Sequence, residues 1–151
     1  MTETSGGHGA LGLRQRQGRG VVLTDLLRRL VEASPDFEGA VVVGVDGLVM
    51  AAYSAYGPQA EPGSAELIEG LDDSDAGAVA TRAFELSDEA TEALEQGNLE
   101  RLILLGSDGN VIISRAGPHA LCVVLLKPEA KIGIASFEAA RVSQQITEVL
   151  A

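Results

Sequence analysis

The sequence predicts an α/β (α+β) fold: one five-stranded antiparallel sheet with helices on both faces, in the order α-β-β-α-β-β-β-α. Three observations predict it. Two pairs of apolar runs are each folded about an Asp-Gly dipeptide, Asp46-Gly47 and Asp108-Gly109. Asp-Gly between apolar runs is the strongest short-range hairpin signal, because a tight type I′ turn needs positive φ at both central residues. A long acidic stretch of helical character separates the pairs. Several strands are apolar at every position, and such strands ask for cover on both faces.

The elements follow in order. Residues 1–20 read as a flexible Gly/Arg-rich tail, with Arg14, Arg16 and Arg19 against Glu3. The tail has too few apolar groups to fold alone. A first helix is expected from about Thr24 to Ala33, with Thr24 as N-cap and Asp25 in the first turn. Leu23, Leu26, Leu27, Leu30 and Val31 recur at helical spacing, and Ser34-Pro35-Asp36 ends the run. Ala40–Val45 and Leu48–Tyr53 form the first strand pair. Residues 54–66, with Gly57-Pro58 and Pro62-Gly63, form a loop.

The long helix is expected over Asp75 to Gln96, with Ser74 as N-cap and Gly97 as C-cap. Val79, Ala83, Leu86, Ala90 and Leu94 make a narrow apolar stripe, and small residues in it suit close packing on a sheet or another helix. Phe84 lies off the stripe, where it is either packed at the margin or held for a partner. Three strands follow: Leu99–Gly106, Val111–Ala116 and Ala120–Leu126. Leu102-Ile103-Leu104-Leu105 is apolar throughout and asks for cover on both sides. The last helix runs from about Lys131 to Leu150, with Ala135, Ala139, Val142, Ile146 and Val149 on one face and Ile134 and Phe137 beside it. The acidic helix is expected on one face of the sheet and the terminal helices on the other.

The bulk properties bound the function. The 151 residues fit one domain, and with 3% aromatic residues and no Trp the core must be Leu, Val, Ile and Ala. The net charge of −11 argues against nucleic acid as a partner and against an anionic membrane surface. Between Glu61 and Glu100 stand twelve acids and one base, Arg82. The charge of this stretch favours a basic partner. No run reaches the roughly 18 apolar residues of a membrane span. No signal-peptide pattern opens the chain, and the lone Cys122 makes no disulfide framework, so a cytoplasmic setting is expected.

Catalytic chemistry finds little footing. His8 and His119 form no H-x3-H spacing and the lone Cys122 no C-x2-C spacing, so no metal site is expected. Cys122 reads as a buried structural thiol. Asp72-Asp73-Ser74-Asp75 fails the calcium-loop pattern, because no Glu closes the loop. No phosphate-binding Gly-rich motif is present, and no cofactor is expected. The carboxylates on the helix read as a solvated charge run rather than a catalytic pair.

The block from Phe37 to Ala51 (FEGAVVVGVDGLVMA) resembles the first hairpin of the Roadblock/dynein light chain domain. Asn98–Leu105, Asp108-Gly109 and Ala120–Leu126 are similar to its second half, and Lys131–Glu138 to the start of its last helix. The resemblance spans residues 22–151. It implies a Roadblock/profilin-like fold and a non-catalytic, homodimeric regulator or scaffold, like the prokaryotic MglB-type proteins that act on small Ras-like GTPases. It further implies that the third strands of two protomers pair while their second helices pack together. Here that surface would comprise Val79, Ala83, Leu86, Ala90, Leu99, Arg101, Ile103 and Leu105. Arg82, Phe84, Glu85, Glu89 and Glu92 are the residues expected to meet a GTPase, with stimulation of GTP hydrolysis as the stronger form of the function. A catalytic arginine at Arg82 is weighed against an ion pair with Glu85 or Glu89, which helical spacing favours. The alternative is a structural adaptor, a light-chain-like subunit of a larger assembly with no GTPase link.

Overall fold

The computed structural model describes residues 18–56 and 73–151. Within them the elements are α1 (residues 18–32), β1 (Phe37–Gly44), β2 (Val49–Ser54), α2 (Asp73–Ala93), β3 (Arg101–Leu105), β4 (Asn110–Arg115), β5 (Ala120–Leu126) and α3 (Ile132–Leu150). The tail up to residue 17, His8 and the turn signals at Gly57-Pro58 and Pro62-Gly63 lie outside the described residues.

The sheet is antiparallel throughout, in the order β2-β1-β5-β4-β3. β1 and β5 are buried almost along their whole length, as uniformly apolar central strands require. Alternate residues of these strands divide two cores. Ala40, Val42, Cys122, Val124 and Leu126 face α1 and α3, which supply Leu23, Leu27, Leu30, Ala135, Ala139, Val142 and Ile146. Val41, Val43, Leu121, Val123 and Ile113 face α2, which supplies Ala80 and Phe84. Each fully buried Leu or Val side chain adds about 1.5–3 kcal/mol of transfer free energy. Asp36 links distant segments: its carboxylate accepts the Lys131 N–H at the start of α3 (3.2 Å), and its carbonyl accepts the Lys127 N–H (3.0 Å).

Several local expectations are corrected. α1 is already helical at residue 18, so Thr24 lies within it. The Thr24 hydroxyl donates back to the Gly20 carbonyl at 2.8 Å instead of capping the helix. α2 is formed from Asp73, which places Ser74 inside its first turn. α2 ends at Ala93, and the left-handed position is taken by Glu95 at φ 59°. Glu95 N–H bonds the Glu92 carbonyl and Gln96 N–H bonds the Thr91 carbonyl. This is the Schellman arrangement, completed at Gln96, one residue before Gly97.

Neither Asp-Gly turn is type I′. At the first, Gly47 has φ 86° and Asp46 does not share the positive φ. The bonds Gly47 N–H to Gly44 carbonyl and Gly44 N–H to Leu48 carbonyl describe a type I turn closed by a left-handed glycine. Asp46 helps by accepting the Leu48 N–H on its carboxylate. At the second, neither Asp108 nor Gly109 has a positive φ. The dipeptide locates both turns, while the loop length decides the turn type.

A candidate partner-binding surface on β3 and α2

β3 is an edge strand. It pairs with β4 from Arg101↔Ser114 to Leu105↔Asn110, and among the described residues its other side has no strand partner. Directly opposed residues share a face. Ile103 and Leu105 therefore lie on the α3 side, and Leu102 and Leu104 on the α2 side. Ile103 is 41% exposed, Leu104 42% and Leu105 73%. The expectation that this strand is covered on both faces is thus corrected, because among the described residues no helix covers Ile103, Leu104 and Leu105. An apolar strand with a free edge invites pairing with another chain.

The strand begins at Arg101, not at Leu99. Leu99 is half-buried against the α2 core and its backbone is already engaged. Its N–H bonds the Asp88 carboxylate at 2.6 Å, and its carbonyl accepts from Nε and Nη2 of Arg115. Arg101 turns toward α3 and donates from Nη1 to Ser136 Oγ at 2.8 Å.

α2 presents two distinct sides. Its inner side is Gly77, Ala80, Thr81 and Phe84. The stripe expected to be its apolar face points the other way: Val79, Leu86 and Leu94 are 61–71% exposed, Ala90 is exposed and Ala83 is half-buried. At about 100° per residue the two sides lie on nearly opposite faces of the helix. Phe84, expected among the partner-binding residues, is 3% exposed and belongs to the core. Glu85, Glu89 and Glu92 line one flank of the outer stripe and are exposed, as is Arg82. Among the described residues Arg82 makes no ion pair, so the expected bond to Glu85 or Glu89 is not formed.

The residues that the resemblance implied for this surface did not include Leu104. The apolar run on both faces of that strand was the available signal. Phe137 and Ile134 on α3 are likewise exposed, at 68% and 63%. Cys122 is fully buried, with its thiol pushed up to about 12 by that burial. Among the described residues no cluster of His, Cys, Asp and Glu suits a metal ion, and no helix is long and apolar enough to cross a membrane.

The model of the Roadblock/LC7 domain family matches residues 23–126. The chain belongs to the Roadblock/LC7 family. The solved Roadblock/LC7 domain from Streptomyces avermitilis is similar, at TM-score 0.68 and 21% identity, covering 84% of this chain and 96% of that one. The gliding protein MglB from Thermus thermophilus matches at TM-score 0.71 and 15% identity, covering 87% and 90%. Profilin IA of Acanthamoeba castellanii matches at TM-score 0.52 and 12% identity, covering 83% and 96%. Direct sequence comparison with curated proteins finds no match. At these identities the structural likenesses establish a Roadblock fold of profilin-like architecture.

Proposed function

We propose that this chain is a homodimeric, non-catalytic regulatory module that binds a small Ras-like GTPase. The observation that carries the reading is the pairing of two unsatisfied features: the free edge of β3 and the outward stripe of α2. In the proposed dimer, Ile103, Leu104 and Leu105 lie along a β3–β3 seam, and Val79, Ala83, Leu86 and Ala90 meet their counterparts across the axis. Likeness to MglB supports the GTPase class of partner. The acidic flank of Glu85, Glu89 and Glu92 supports a partner with a basic surface, whose association weakens with salt.

Stimulation of GTP hydrolysis is the finer form of the proposal. An arginine supplied to a GTPase is worth about 10³–10⁵ in rate, and among the described residues the exposed Arg82 makes no ion pair. The experiment is co-purification from the native cell at low salt, followed by hydrolysis assays on any GTPase recovered. Ile103→Lys should yield a folded monomer by sedimentation and circular dichroism and should lose the GTPase. A wild type that stays monomeric at high concentration would sink the dimer. Recovery of a larger assembly without any GTPase would favour the adaptor reading. Arg82→Ala with undiminished stimulation would leave activation to reshaping of the partner's own loops.

A further inference from the structure

A cavity of about 310 Å³ opens between α3 and the outer edge of the sheet. Arg101 and Ser114, directly opposed on β3 and β4, form its floor, and Ser143, Gln144 and Thr147 of α3 form one wall. The floor is polar and incompletely satisfied. Ser114 is 3% exposed, and among the described residues its Oγ has no hydrogen-bond partner. The Nε of Arg101 is buried and likewise has no partner among the described residues, while Nη1 is anchored on Ser136 Oγ. Among the described residues no carboxylate pairs with Arg101, although the chain has 22 acids to 11 bases. Buried polar groups are normally paired, and an unpartnered guanidinium Nε beside an unpartnered hydroxyl opposes folding.

We infer that this cavity is a binding site for a small oxyanion, phosphate or carboxylate, held by the Arg101 guanidinium and the Ser114 hydroxyl. The Nε–Nη2 edge of an arginine matches two oxygens of such a group in a planar fork. Anchoring of Nη1 on Ser136 restricts the plane of that fork. Nε and the Ser114 Oγ lie below the water-accessible surface, so the ligand engages them through a small turn of Arg101 about its anchor. Gln144 adds an amide to the lining. Arg115 also borders the cavity, but its guanidinium is engaged on the opposite face of the sheet. Glu100 is the one carboxylate in the lining and opposes the ligand. The net charge of −11 disfavours diffuse anion attraction, so saturable binding reports a specific site.

The test titrates the full chain with phosphate and with succinate, against chloride at matched ionic strength. Binding heat and the Arg101 Nε–H resonance are both followed. Saturable binding at millimolar ligand with movement of that resonance is the expected result, and the tighter arm identifies the oxyanion. Arg101→Gln should weaken binding by at least about tenfold. Ser114→Ala should weaken it while raising the thermal midpoint of the unliganded chain, and Glu100→Gln should tighten it. If Arg101→Gln fails to fold, Ser114→Ala and Gln144→Ala carry the comparison. Absence of binding in both arms, or variants that bind like wild type, overturns the site. So does an Arg101→Gln variant that splits a dimer while neither anion moves the wild-type resonance, since Arg101 would then belong to the seam between protomers.

Discussion

Arg115 holds its guanidinium carbon 5.0 Å from the centre of the Phe84 ring. The same guanidinium donates twice to the Leu99 carbonyl, at 3.3 and 3.1 Å, and stands 3.5 Å from the Asp88 carboxylate. One side chain on β4 therefore fastens both α2 and the start of the chain's approach to β3. The Asp88 pair is partly exposed and adds little. The carbonyl bonds and the ring contact should make Arg115→Ala cost about 1–2 kcal/mol in urea unfolding. Arg115→Lys, which keeps the charge but loses the two-pronged donor, should recover less than half of that.

The two sides of α2 make opposite predictions. Phe84→Ala removes a core ring and should cost about 3–5 kcal/mol. Leu86→Ala, on the exposed stripe, should change the stability of the isolated protomer by no more than about 0.5 kcal/mol. The same Leu86 substitution should lower dimer affinity in sedimentation. Equal costs for both in the monomer would mean that α2 is seated differently from the arrangement described.

Gly77 lets α2 rest on the first hairpin. A Cβ there would stand 2.3 Å from the Gly47 carbonyl oxygen and 3.3 Å from Val43. Gly77→Ala should therefore destabilise by about 1–3 kcal/mol, despite alanine's better helix propensity. Gly133→Ala meets no atom within 4 Å, and should raise stability by up to about 1 kcal/mol. Thermal midpoints of the two variants should move in opposite directions.

Cys122 supplies a pH signature. Burial raises its thiol from the ordinary 9.0 to about 12. The folded state thus keeps the proton that the unfolded chain gives up first. The contribution is intact below pH 9.0 and is lost as pH rises toward about 12, by up to about 1.4 kcal/mol per pH unit. Cys122→Ala should flatten that part of the stability curve. In the native wild type, alkylation at neutral pH should wait for denaturant.

Strand positions were legible because Asp46-Gly47 and Asp108-Gly109 punctuate apolar runs, and the cover on β1 and β5 was legible from their unbroken apolar character. The seating of α2 was not. Its inner side combines Gly77, Ala80 and Thr81 with one large residue, Phe84, whereas the outer stripe carries the larger aliphatics. Periodicity finds an apolar face without saying whether a sheet or a second chain will cover it. Thr24 misled for a related reason, since a hydroxyl serves equally as a cap or as a back-bonded residue inside a helix. The cavity over Arg101 and Ser114 needs the register of β3 on β4, which no single stretch of sequence encodes.

The strand order has a consequence for how the chain is made. β1 lies between β2 and β5, and its residue Val42 pairs with Cys122, eighty positions later. At about 5–20 residues per second, a ribosome takes on the order of 4–16 s to deliver that partner. During that time a strand buried almost along its whole length in the finished sheet has one open side. Long-range pairing of this kind slows folding relative to local hairpins, so the nascent first hairpin is the stage of this protein's life most exposed to aggregation and most in need of chaperone cover.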